Sequence, residues 1–172
     1  LRTVTEVQTC ALPICQQYFS IWLRPIPPEK TYFGIRNALF ELKNLVEKGM
    51  SKEDFDQTRT FVTNYSKLFA ATLSRRLGYQ MDSEFYGTDY YIDRIEKELK
   101  KLTVDDVNAA IKKYLHPNDI KIAVVVDEGK GQAFLDAMIA NTPCPITYTS
   151  PVAQSILDQD KTIEVFPLSV NK

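Results

Sequence analysis

Two arginines and a tyrosine, Arg75, Arg76 and Tyr79, are the residues whose types and spacing best suit a binding site. Residues three and four positions apart share one face of a helix, so these side chains are expected to lie together. We treat them as candidate substrate-binding residues. A pair of arginines at the start of a helix is also common on solvated surface, and that interpretation stays open. No residue is assigned a catalytic role.

The sequence gives little support for a metal site or a catalytic nucleophile. A catalytic zinc site needs about three protein ligands, yet His116 is the single histidine. It precedes Pro117 and is better placed to meet the unpaired carbonyls of a helix end. Cys10 and Cys15 lie in or beside a suspect segment, and Cys144 alone supports neither a disulfide nor a metal site. We therefore predict no metal site and no cofactor in this chain.

The composition is that of a soluble globular protein of at most one ordinary domain. The 172 residues carry 21 basic and 22 acidic side chains, for a net charge of −1. Because the charges are interspersed, they suggest no polyanionic partner, and nucleic acid binding is not expected. No apolar run approaches the roughly 18 residues of a membrane helix, so no membrane span is expected. The compartment stays undetermined.

The segment Val4–Ile14 reads like the translation of a short-read sequencing adapter. It differs from that translation only at Glu6, through one base change, and the leftover base of the adapter fits the codon of Cys15. Cloning and sequencing remnants are excluded from fold reasoning. We expect residues 1–15 to be non-native and the natural sequence to resume at Cys15 or Gln16.

Hydrophobic periodicity predicts strands at the two ends of a run of helices. One strand is Phe19–Arg24, in which apolar residues recur at every second position. The other is Ile120–Val126, in which Ile120, Ile122, Val124 and Val126 share one side. Ser51 with Asp54 and Thr103 with Asp106 resemble capping boxes, and Asp89 is expected to cap a third helix. The predicted helices cover residues 35–48, 51–69, 75–85, 89–102, 103–114 and 132–140.

This order of elements predicts an α+β fold, with helices packed on one face of a mostly antiparallel sheet. Two strands cannot form that sheet alone, because an isolated pair is marginal at best. The remaining strands are expected upstream of Gln16, so the fold is expected to be truncated at its N-terminus. An unpaired edge is expected on the strand Phe19–Arg24.

Several stretches resemble one known family. They are Tyr18–Pro25, Leu45–Phe55, Leu77–Tyr79 leading to Phe85–Gly87, and Tyr90–Ile95 followed by Leu102–Ala110. The residues of these stretches and their order along the chain resemble the C-terminal domain of the pitrilysin/insulinase family of zinc metallopeptidases, particularly its bacterial members. The resemblance covers nearly everything from Gln16 onward and implies a LuxS/metallopeptidase-like half-domain. These stretches belong to the scaffold of that family and not to its catalytic motifs.

The family's functional motifs are missing from this sequence. In the family, zinc is held in the N-terminal half by an inverted H-x-x-E-H motif and a further glutamate. Its C-terminal half contributes an arginine and a tyrosine seven positions apart, which contact the substrate backbone. No arginine here has a tyrosine at that distance, and Arg2 is followed by Thr9. The zinc-binding half is therefore expected in upstream sequence of the same polypeptide or in a partner subunit.

The resemblance implies a noncatalytic C-terminal portion of a zinc-dependent metalloendopeptidase that helps enclose peptide substrates. Residues 16–140 would form the partial peptidase domain, and residues 141–172 a tail that wraps around it. One alternative is a structural or assembly subunit with the same fold and no peptidase activity. Another is a generic helical binding module. In each case this chain is expected to be inactive alone.

Overall fold

The structure is a computed structural model that describes residues 3–5, 19–24, 26–126 and 128–168. The described chain divides into two compact units. Unit 1 contains residues 3–5, 19–47 and 115–168, and unit 2 contains residues 48–114. No helix within the described ranges is both long and apolar enough to cross a bilayer.

Helices account for most of the described residues. Seven α-helices follow a short 3-10 helix at Pro28–Lys30. They are α1 Thr31–Lys48, α2 Lys52–Phe69, α3 Leu73–Tyr86, α4 Tyr91–Lys101, α5 Val104–Tyr114, α6 Glu128–Ile139 and α7 Gln154–Ile163. The first six confirm the predicted helices, with ends that differ by a few residues. Helix α7 was not predicted from the sequence.

Two of the predicted helix starts have the expected caps. The Ser51 hydroxyl accepts a hydrogen bond from the backbone N–H of Asp54 at 3.1 Å and begins α2. At α5, Thr103 Oγ1 accepts from the N–H of Asp106 at 3.2 Å, while the Asp106 carboxylate accepts from the N–H of Thr103 at 3.0 Å. These hydrogen bonds pair N–H groups that a helix start leaves unpaired, so the capping-box predictions are confirmed.

The predicted cap of α4 is wrong. Tyr90, not Asp89, is the N-cap residue, and it makes no side-chain capping hydrogen bond. The partner comes from another helix, because the buried hydroxyl of Ser83 in α3 accepts from the N–H of Tyr91 at 3.1 Å. The same hydroxyl donates to the carbonyl of Tyr79 at 2.7 Å. A tertiary contact with Ser83 thus pairs the N–H of Tyr91, whereas the local sequence pattern had predicted Asp89 as the capping residue.

The predicted α+β fold with a mostly antiparallel sheet is wrong for the described residues. Their strands are β1 Thr3–Thr5 and β2 Ile21–Leu23, which pair antiparallel with Val4 opposite Trp22. The second edge of β2 has no strand partner in the part of the chain that is described. Strand β1 overlaps the start of the adapter-like segment, whereas residues 6–15, with Cys10 and Cys15, lie outside the described residues.

The second predicted strand, Ile120–Val126, is also wrong. These residues have no regular secondary structure and no backbone hydrogen bond among the described residues. The physical reason is the lack of a neighbour, because a strand exists only through the partner that pairs with its N–H and C=O groups. The sequence pattern that predicted a strand is present, but the described residues contain no neighbouring strand that pairs with it.

Unit 1 is built around the apolar faces of α1 and α6. Its core cluster consists of Tyr32, Ile35, Met138 and Leu168. The ring of Phe134 lies edge-on to Tyr32 at 6.1 Å between ring centroids. Asn141 donates to the carbonyl of Leu168 at 3.0 Å and accepts from its N–H at 2.7 Å. These two hydrogen bonds hold the C-terminal segment against the end of α6.

In unit 2, α4 packs against both α2 and α3. A second contact joins the loop after α1 to α5, where the Asn108 side chain accepts from the N–H of Met50 at 2.7 Å. Its amide group donates to the carbonyl of Met50 at 3.1 Å. Gly49 has a φ of +76°, and a Cβ there would lie 2.9 Å from Asn108 Oδ1. Glycine thus serves both the helix end and the close approach of Asn108.

Replacing Asn108 by alanine is expected to destabilise unit 2 by about 1–3 kcal/mol, since both hydrogen-bonding groups of Met50 lose their partner. Urea unfolding followed by far-ultraviolet circular dichroism measures this loss. Asn64→Ala is the matched control, because Asn64 is exposed in α2. An equal effect of the two substitutions would show that the Asn108 bridge contributes nothing to stability.

Candidate functional site

The structure places Arg75 and Arg76 in the first turn of α3, where both contact the end of α2. Arg76 Nε donates to the carbonyl of Ala70 at 2.7 Å. Arg75 Nη1 donates to the carbonyl of Leu68 at 3.5 Å. The last carbonyls of a helix lack partners within it, so guanidinium groups are favourable there. Both side chains are exposed. A structural role therefore accounts for their position.

Tyr79 lies on a different part of α3 from the two arginines. Its ring stacks on Tyr91 of α4 at 5.0 Å with an interplanar angle of 11°. On the other side it meets Phe69 of α2 at 6.2 Å. Burial, and the neighbouring Tyr79, raise the pKa of the Tyr91 phenol above its ordinary value. No contact joins Tyr79 to the two arginines, so the structure does not bring the three candidates together as one site.

The aromatic row extends beyond Tyr79 along α2. Phe61 stacks on Tyr65 at 5.5 Å, and Tyr65 meets Phe69 edge-on at 5.2 Å. Aromatic pairs of this kind each contribute about 0.5–1.5 kcal/mol beyond the area they bury. The row therefore joins α2, α3 and α4 of unit 2, and Tyr79 is the member that connects α2 to α4.

Tyr79→Leu is expected to cost unit 2 about 1–3 kcal/mol, because it removes two aromatic contacts at once. The control is Tyr86→Leu, which changes an exposed tyrosine at the end of the same helix whose one ring contact is with the neighbouring Phe85 at 5.0 Å, and it should cost less than about 1 kcal/mol. Thermal and urea unfolding of both variants measure the difference. A negligible effect of Tyr79→Leu would contradict a structural role and favour a binding role for this ring.

A surface cleft with a volume of about 270 Å³ lies between α4 and α5 of unit 2. Its lining residues are Ile95, Glu98, Leu99, Lys101, Leu102 and Asp106. None of the three candidate residues from the sequence lines it. Glu98 and Lys101 pair with each other at 3.1 Å on its rim, and Asp106 caps α5. The polar groups of the cleft are thus engaged in local structure.

The most buried charged group of unit 1 is the guanidinium of Arg36, which sequence analysis missed. Arg36 is fully buried on α1 and donates to Tyr32 Oη at 2.8 Å, to Cys144 Sγ at 3.3 Å and to the carbonyl of Glu164. Its Nε has no hydrogen-bond partner among the described residues. Arg36 lies outside the predicted apolar stripe of this helix, and its aromatic neighbours Tyr32 and Phe40, four positions away on either side, were the signal that could have found it.

Cys144 behaves as a packing residue of that cluster. Burial raises the pKa of its thiol above the ordinary value, against the opposing effect of the Arg36 hydrogen bond. Thiols react as thiolates, so a raised pKa weakens the group as a nucleophile at neutral pH. The Tyr32 phenol beside it also has a pKa raised by burial. The cluster therefore anchors the C-terminal segment to α1.

The zinc of the resembled family does not fit the described residues. They contain no group of three or more histidine, cysteine, aspartate or glutamate side chains placed to hold a metal ion. His116 is exposed and lies two residues beyond the end of α5. Its carbonyl accepts from the N–H of Asp119 at 3.0 Å in a turn. We derive no metal-dependent step from these residues.

The exposed apolar segment Ile120–Val126 is the feature of unit 1 that packing within the described residues leaves incomplete. Ile120, Ile122 and Val124 expose 36–40% of their surface, and Val125 exposes all of it. Within the described residues, no backbone hydrogen bond of this segment is present outside a helix or strand. β-branched side chains such as these favour pairing with another strand. The segment therefore has the side chains of a strand that could pair with another strand.

These features define a helical, scaffold-like chain whose contacts are structural. No profile of a known protein family matches it, and no solved structure matches it. Its sequence is 24% identical over 90 residues to a curated protein of Helicobacter pylori, the "Non-peptidase homolog YmxG". The match covers 52% of this chain and 21% of that protein. The chain thus corresponds to about a fifth of the relative's length.

Proposed function

We propose that this chain is a noncatalytic structural portion of a pitrilysin/insulinase-like protein. Its role is to associate with other sequence through an exposed apolar segment, residues 120–126. That sequence belongs to another part of the same polypeptide or to a partner subunit. The observation that carries the proposal is the exposure of this segment, in which Ile120, Ile122 and Val124 expose 36–40% of their surface and Val125 exposes all of it.

The β-branched residues of this segment favour an extended strand. Ile120, Ile122, Val124 and Val126 would lie on one side of it, and Lys121, Ala123 and Val125 on the other. Left open, such an edge is a template for unwanted pairing, which natural proteins usually cover.

The relative supports the noncatalytic part of the proposal. The name of the relative describes a homologue without peptidase activity. The match covers about a fifth of that protein's length. The residues of this chain that sequence analysis considered for chemistry have structural contacts instead. Arg75 and Arg76 contact the end of α2, and Tyr79 belongs to an aromatic row.

The second candidate function is the noncatalytic C-terminal portion of an active zinc metalloendopeptidase, which would help enclose peptide substrates. The resemblance of Tyr90–Ile95 and Leu102–Ala110 to bacterial members of the family favours it. In that case zinc is held by the other half, which would activate a water for peptide hydrolysis.

Peptide hydrolysis with and without a metal chelator distinguishes the two candidates. The assay uses this chain and the full-length product of its gene, each with unstructured fluorogenic peptides. The structural proposal expects no chelator-sensitive hydrolysis by either protein. Chelator-sensitive hydrolysis by the full-length product alone would overturn it in favour of the second candidate. Hydrolysis by this chain alone would contradict both.

A further inference from the structure

We draw no further inference here: the strongest candidate, the exposed apolar face of α3 in unit 2 formed by Leu73, Leu77, Met81 and Phe85, carries no proposal because nothing among the described residues shows what covers it.

Discussion

Arg36→Ala is expected to lower the free energy of unfolding of unit 1 by about 3–5 kcal/mol, the largest single effect in the chain. The substitution empties a fully buried site and removes donors from Tyr32, Cys144 and the carbonyl of Glu164. It also removes a guanidinium that lies 4.4 Å from the Tyr32 ring centroid. Chemical unfolding followed by Trp22 fluorescence measures the loss, since Trp22 is the single tryptophan.

Arg36→Met separates packing from charge in this cluster. Methionine fills most of the volume without the cost of burying a cation, and buried charges are often replaceable by apolar residues at little cost. The hydrogen-bond partners of Arg36 among the described residues are a phenol, a thiol and a backbone carbonyl, and none of them is a carboxylate. We expect Arg36→Met to cost about 1 kcal/mol. Equal losses for methionine and alanine would contradict this account and show that the cation itself is required.

Ile122→Lys combined with Val124→Lys is expected to abolish strand-mediated association of the isolated chain. Segments of this length with high β-propensity, low charge and no proline pair readily when exposed. The wild-type chain should therefore form β-rich assemblies at tens of micromolar, as an order of magnitude for such exposed segments. Infrared amide I spectra and light scattering follow the process, which the double variant should slow by at least about tenfold.

Ala123→Lys combined with Val125→Lys is the matched control for that variant. It adds the same charge to the opposite side of the segment, away from Ile122 and Val124. Association that persists in the control identifies the face of Ile120, Ile122 and Val124 as the one that pairs. A wild-type chain that stays unassociated, or a control as effective as the test variant, would contradict strand pairing through this face.

Helices were predictable because their signals are local. The stripes and the Ser51 and Thr103 caps depend on residues within a few positions of one another, and the structure has both caps. The cap of α4 depends on Ser83 from another helix, which no local pattern contains. Helix α7 starts at Gln154 without a side-chain cap, so its N-terminal signal was missing.

The fold class was wrong because a sheet is not a local property. Alternation in Ile120–Val126 describes which side of a strand would be buried, whereas pairing requires a neighbour that these described residues do not supply. The candidate residues Arg75, Arg76 and Tyr79 were chosen by helical spacing, and they do lie on one helix. Spacing cannot show that the arginines turn toward α2 while Tyr79 stacks on Tyr91.

Amide hydrogen exchange of residues 120–126 tests the central claim most directly. It is measured in this chain alone and in the full-length product of its gene, with the amides of α1 as an internal control. We predict near-unprotected exchange in the isolated chain and protection of at least about a thousandfold in the full-length protein, where other sequence covers the segment. Unprotected exchange in both proteins would contradict the claim that this chain associates with other sequence through residues 120–126.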